Sequence, residues 1–171
     1  MSKNLCLFLL LLLMFNASGQ SLSNKAYHLM LQGLYKNTVP FIKAAALEKS
    51  LEGNSQESLV LLDTRSYEEF VVSHLRGARF MNYENFKVEQ LKHLPKSTHV
   101  VVYCSVGYRS EKVGEQLKRA GYLNVYNLYG GIFEWVNKGF PVFSEEGQTQ
   151  KVHAYSRAWG IWLTKGEKVY E

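Results

Sequence analysis

One stretch of this chain combines residue types and spacing suited to nucleophilic chemistry: Cys104-Ser105-Val106-Gly107-Tyr108-Arg109. It follows Val100-Val-Val-Tyr103, a continuous apolar run of strand length. It precedes a helical pattern from Ser110 to Ala120 with Val113, Leu117 and Ala120 on one side, Lys118 and Arg119 in the last turn, and Gly121 as a stop. A parallel strand ending in a loop that opens a helix is where open α/β sheets bind ligands. Gly107 allows backbone geometry closed to other residues. A tight turn there turns its amide hydrogens inward, and with the helix N-terminus they form a small anion cradle. Such a field favours a thiolate over a thiol, so Cys104 is the expected nucleophile. Ser105, Val106, Gly107, Tyr108 and Arg109 form the expected binding loop, and Tyr108 is a pocket candidate because side chains point outward when amides point in.

The chain has two cysteines, Cys6 and Cys104. Cys6 lies in the apolar run Leu5 to Phe15, which follows Lys3 and ends at Asn16-Ala17-Ser18-Gly19. A charged start, an apolar run of about 7–15 residues and a small-residue exit describe a secretory signal. The run is shorter than the roughly 18 residues a membrane span needs, so residues 1–19 are expected to be cleaved near Gly19/Gln20, leaving no stable membrane anchor. Periplasmic or secreted location follows as an expectation. An exported chain with one cysteine closes no internal disulfide, and its thiol is then either reactive or buried and inert. Its place between strand and helix favours the reactive case. Formal net charge is +5, but Lys87, Lys92, Lys96, Arg119 and Lys138 are scattered without interleaved aromatics. A nucleic-acid footprint would need a cluster, so no nucleic-acid partner is expected.

Three segments follow the signal. Residues 20–37 form an N-terminal extension in which Tyr27, Met30, Leu31 and Leu34 have helical spacing, capped by Ser23 and running to Asn37. Residues 38–143 alternate strand-like and helical patterns. Leu59-Val-Leu-Leu62 and Val100 to Tyr103 suit parallel strands covered on both faces; Val39 to Ile42, Val125 to Leu128 and, more weakly, Ala78 to Met81 are further strands, and Ile132 to Asn137 is a second helix. This alternation predicts an α/β layered domain around a parallel sheet. In residues 144–171, Val152, Tyr155, Trp159, Trp162 and Leu163 predict a C-terminal helix docked on the domain.

Several motifs across residues 38–143 resemble the rhodanese-like family in order and spacing. Leu62-Asp63-Thr64-Arg65 is similar to its Asp-x-Arg at the end of an early strand, and His74-Leu75-Arg76-Gly77-Ala78 to its His-x-x-Gly-Ala. Val102-Tyr103-Cys104 resembles the approach to its active loop, and Gly130-Gly131-Ile132-Phe133-Glu134-Trp135 its closing Gly-Gly-x-x-x-Trp. The resemblance implies a three-layer fold, a central parallel sheet with helices on both faces, and sulfur transfer through a Cys104 persulfide with no cofactor and no metal. A small sulfur donor such as thiosulfate and a thiol or cyanide-type acceptor are the implied partners, with a protein acceptor also conceivable. The loop amides would stabilise the persulfide anion, and Arg109 would hold a donor oxyanion. Asp63 and Arg65 are read as a pair supporting the loops beside the active turn, His74 as fixing a turn, and Trp135 as core. Where the family often has Arg directly after the cysteine this chain has Ser105, which weakens the case for thiosulfate in particular.

Rival readings have their own signatures. Phosphatases of this fold place five residues between Cys and Arg, whereas four separate Cys104 from Arg109, a ring too tight for a tetrahedral phosphate. A thiol protease needs a histidine base, and none of His74, His93, His99 and His153 sits in a supporting motif. The more serious alternative is a rhodanese-like domain used only for binding or regulation, against which the retention of Cys104, Gly107 and Arg109 argues.

Overall fold

Runs of valine and leucine crowd a pleated surface well and lose little rotamer freedom there, and they build the centre of this molecule. In the computed structural model, which describes residues 22–52 and 59–170, five strands form one all-parallel sheet: β1 (Phe41–Ile42), β2 (Leu59–Asp63), β3 (Arg79–Phe80), β4 (His99–Tyr103) and β5 (Asn124–Leu128). Their order is β1-β5-β4-β2-β3, with β4 at the middle. Every strand predicted from the sequence is present. Val60, Leu62, Val100, Val102 and Val125 share a core with Val113, Leu117, Leu91 and Tyr122. Leu61, Val101 and Tyr103, which alternate with them and so face the other way, are equally buried. Both faces are covered, as a parallel sheet requires.

The helices are α1 over residues 22–34, before the sheet, α2 (Ala44–Glu52), α3 (Tyr67–Val72) and α4 (Tyr108–Arg119) in the crossovers, and α5 (Gly131–Asn137) after β5, with a 3-10 turn at Val88–Leu91. The chain divides into one unit ending at Leu34, which holds α1, and a second running from Tyr35 onward. Helix α1 stops at residue 34 rather than at Asn37, which adopts a left-handed backbone (φ 57°) incompatible with continuing it. The signal-peptide reading of residues 1–19 lies outside the described residues.

The C-terminal extension corrects the expectation of a docked helix. Strands β6 (Val142–Ser144) and β7 (Gly147–Thr149) form a hairpin, β8 (Lys151–His153) pairs in parallel with β9 (Glu167–Val169), and only Arg157–Gly160, α6, is helical. The apolar residues that suggested a continuous stripe belong to different elements: Val152 is buried on β8, Leu163 in the turn after α6, Tyr155 is exposed, and Trp159 and Trp162 are half-buried. Ser156 starts α6 by accepting from the Trp159 amide. Beyond Gly160 the chain is captured by Asn137, whose Oδ1 accepts the Thr164 amide at 2.7 Å. These competing polar anchors win over helical periodicity. The expected docking holds in another form, since β8 packs against α3.

Candidate active site

Three strand ends meet at one place. Asp63 at the end of β2 lies in register beside Tyr103 at the end of β4, and Leu128 ends β5 next to them. Cys104 is the residue after β4, buried and free, with 1% of its surface exposed. The loop from Cys104 to Gly107 then enters α4 directly, with Gly107 at φ 99° making the left-handed turn at the helix start.

What fixes this loop is the treatment of its carbonyls, each tied to a residue elsewhere in the chain. At the N-terminus of α5 the Ile132 amide donates to the Cys104 carbonyl (2.9 Å) and the Phe133 amide to that of Ser105 (3.1 Å). Tyr35 donates its hydroxyl to the Val106 carbonyl and accepts from the Gly130 amide at 2.9 Å. Burial pushes the Tyr35 phenol well up, so it keeps the proton it donates. Asn127 Nδ2 donates to the Gly107 carbonyl at 2.8 Å, its own amide oriented by the Ser110 hydroxyl on Oδ1 (2.8 Å). With the carbonyls tied to these partners, the Gly107 amide donates to Cys104 Sγ at 3.1 Å. Gly131 permits this packing: at φ 56° it sits against the Cys104 and Ser105 carbonyls, where a Cβ would collide.

Arg109 projects from the first turn of α4 to the carboxylate of Glu69, with Nη1 donating to Oε2 (2.7 Å) and Nη2 to Oε1 (2.8 Å). The Ser105 hydroxyl joins them, donating to Glu69 Oε1 at 2.7 Å and accepting from Arg109 Nη2 at 2.9 Å. Burial opposes ionisation of Glu69, but the Arg109 hydrogen bonds and charge overcome it and hold the carboxyl at about 2. Burial likewise works against the Arg109 cation, yet Glu69 and the neighbouring Cys104 keep its pKa raised. Glu69 also closes a capping box on α3: its Oε2 accepts the Ser66 amide (3.1 Å) while its own amide donates to Ser66 Oγ (3.3 Å).

The expected binding loop is therefore assembled, with one change of role. Arg109 serves first as a clamp between the loop and α3, and Ser105 is part of that clamp. Val106 is buried, and Tyr108 is exposed at the start of α4. Asp63 and Arg65 form a fully buried pair, Arg65 Nη2 reaching Asp63 Oδ2 at 2.6 Å and the Ser73 carbonyl at 2.5 Å. His74 stacks on Phe70 (4.2 Å between centroids) and bridges through its backbone to Phe143, which is structural. Trp135 is core, donating Nε1 to the Pro141 carbonyl at 2.9 Å.

Glu69, Tyr35 and Asn127 are the site residues that sequence reasoning missed. The spacing Ser66-x-x-Glu69 is a capping-box pattern and could have marked the start of α3. Its second use, on an arginine forty positions away, has no local signal.

Comparison with known proteins agrees with this geometry. Residues 43–138 match the family model described as "Rhodanese-like domain". The chain is 32% identical over 91 residues to a protein named "Sulfurtransferase" from Allochromatium vinosum, covering 53% of this chain and 84% of that one. It is 34% identical over 95 residues to a "tRNA uridine(34) hydroxylase" of Aster yellows witches'-broom phytoplasma, covering 53% of this chain but only 31% of the hydroxylase. Among solved structures, a rhodanese-related protein from Thermoplasma volcanium superposes with a TM-score of 0.53 at 27% identity, over 62% of this chain and 99% of that one. A rhodanese-like domain from Anabaena sp. gives 0.56 at 27% identity, over 61% and 79%. With the matched segment carrying strands β2 to β5, the Cys104 loop and the Glu69–Arg109 clamp, the chain belongs to the rhodanese-like domain family.

Proposed function

We propose that this protein is a sulfurtransferase that works through a persulfide on Cys104. The observation that carries the reading is the tethering of the loop carbonyls to other parts of the chain while the Gly107 amide donates to a buried Cys104 sulfur. In the first displacement the Cys104 thiolate attacks the sulfane sulfur of a donor. With thiosulfate the S–S bond of the donor breaks, sulfite leaves with the bonding electron pair, and Cys104–S–S⁻ remains. In the second, a thiolate or cyanide attacks the outer sulfur and restores the Cys104 thiolate, giving a new persulfide or thiocyanate. The amides stabilise the anion in both states, and splitting the exchange into two displacements lowers the barrier of each.

The sulfurtransferase relative is covered over 84% of its length, which supports this reading over the activity named for the hydroxylases, of which the shared segment is a minor part. Sulfur transfer from a panel of donors, compared between the native protein and Cys104→Ser, tests it. Turnover is expected with the native protein only, and equal activity in the serine variant would refute the mechanism.

We also propose that the chain acts outside the cytoplasm, from the Leu5–Phe15 run and its small-residue exit. N-terminal sequencing of the protein from its own cells is expected to begin near Gln20, and a retained Met1 would contradict export.

A further inference from the structure

Tyr155 lies just beyond β8, outside residues 43–138, and burial does not account for it, since about half of it (51%) is exposed. Its backbone is left-handed (φ 63°), a conformation that costs a large side chain free energy. Asn37 shares that region, but asparagine tolerates it. The turn is held from several sides. The Tyr155 amide donates to His153 Nδ1 at 3.1 Å, and the Ser156 amide to the Ala154 carbonyl at 2.8 Å. Burial lowers the His153 pKa, keeping the imidazole neutral and able to accept. His153 itself is fixed by the pairing of β8 with β9.

What this strained turn accomplishes is to aim a ring at the active loop. The Arg109 Cζ lies 5.1 Å from the centroid of the Tyr155 ring. Glu69 and Ser105 take the hydrogen bonds of the guanidinium, which lies over the Tyr155 ring. Edge contacts alone leave a planar cation free to rock about its hydrogen-bonding axis, and an aromatic face restrains that motion while attracting the charge. Arg109 interacts electrostatically with Cys104, so the placement of its charge bears on the sulfur.

We propose that Tyr155 is a positioning residue: its ring holds the Arg109 guanidinium beside Cys104, and the left-handed backbone at this position is retained because it aims that ring. The activity arm of the test rests on the persulfide reading, whereas a thiol-reactivity arm does not. The ratio of Cys104 alkylation rates by anionic iodoacetate and neutral iodoacetamide reports the positive field at the sulfur. In the full-length protein, Tyr155→Gly relieves the backbone strain and removes the ring. Its melting temperature is expected to stay within about 3 °C of native, while the alkylation ratio and kcat/KM for sulfur transfer each fall about three- to tenfold. Tyr155→Phe, which keeps the aromatic face, is expected to restore both. An unchanged ratio in Tyr155→Gly overturns the proposal, as does an equal loss in Tyr155→Phe or a large drop in melting temperature, which would make the ring a packing element. If the ratio shifts as expected but the native protein transfers no sulfur, Tyr155 still holds Arg109 and it is the sulfurtransferase reading that fails.

Discussion

Glu69 carries more of the site than any residue except Cys104, because one carboxylate serves the α3 cap, the Ser105 hydroxyl and the Arg109 fork at once. Held at about 2 against an ordinary 4.5, it stays ionised in the folded state under conditions that protonate it in the unfolded chain. The sign follows from that difference. The stability it contributes is complete above about pH 4.5 and is lost as pH falls towards 2. Glu69→Gln is therefore expected to be less stable at neutral pH, by about 2–4 kcal/mol because Arg109 loses its partner, and to show a flatter pH dependence between 4.5 and 2. Denaturant melts of both proteins across that range check this, and parallel curves would contradict it. At this scale the sequence was partly legible. Cys104, Gly107 and Arg109 announce themselves by type and spacing, whereas Asp63 and Arg65 stood out only through the resemblance to the family's Asp-x-Arg. Tyr35 and Asn127 do not, since a tyrosine and an asparagine acquire their meaning only when the fold brings them to the Val106 and Gly107 carbonyls.

The strands were readable because Leu59–Asp63 and His99–Tyr103 are rich in residues that favour a pleated, doubly covered surface. Helix α4 was readable from its periodicity and glycine stop, whereas α2 and α3 were not singled out, and the six residues of α3 are too short to show a period. Helix α5 contributes by close approach, bringing two amides to the loop carbonyls. Gly131→Ala places a Cβ against the Cys104 carbonyl and 2.7 Å from that of Ser105, at a φ of 56°. It is expected to cost more than about 2 kcal/mol and to reduce sulfur transfer strongly, as melting and initial rates would show; native-like values for both would mean the loop is not set by α5. Loop length is a second property of the element. Inserting one residue between Gly107 and Arg109 shifts Arg109 and Ser110 out of register with Glu69 and Asn127 and is expected to reduce transfer, while the native loop should hydrolyse no aryl phosphate. Measurable phosphatase turnover by the native protein would defeat the argument from ring size.

For the molecule as a whole, the C-terminal extension is the part that sequence periodicity misplaced. Val152, Tyr155, Trp159 and Leu163 have helical spacing, yet strand pairing and the Asn137 anchor divide them among a strand, a turn and a short helix. The burial inferred from those residues holds for part of them: Val152 and Leu163 are fully buried, Trp159 and Trp162 half-buried, and Tyr155 exposed. Leu163→Ala is expected to cost about 2–5 kcal/mol while leaving transfer near native at temperatures where the protein is folded, as unfolding curves and parallel assays would check. An unchanged stability would mean that the extension does not share the core. All these elements converge on one sulfur, and the most direct test is the intact mass of the whole protein. After incubation with a panel of sulfane donors that includes thiosulfate, the native protein is expected to gain the mass of one sulfur atom, lost again on treatment with a reducing thiol and absent in Cys104→Ser. A native protein that gains no sulfur from any donor, or a serine variant that gains it equally, would contradict the persulfide on Cys104.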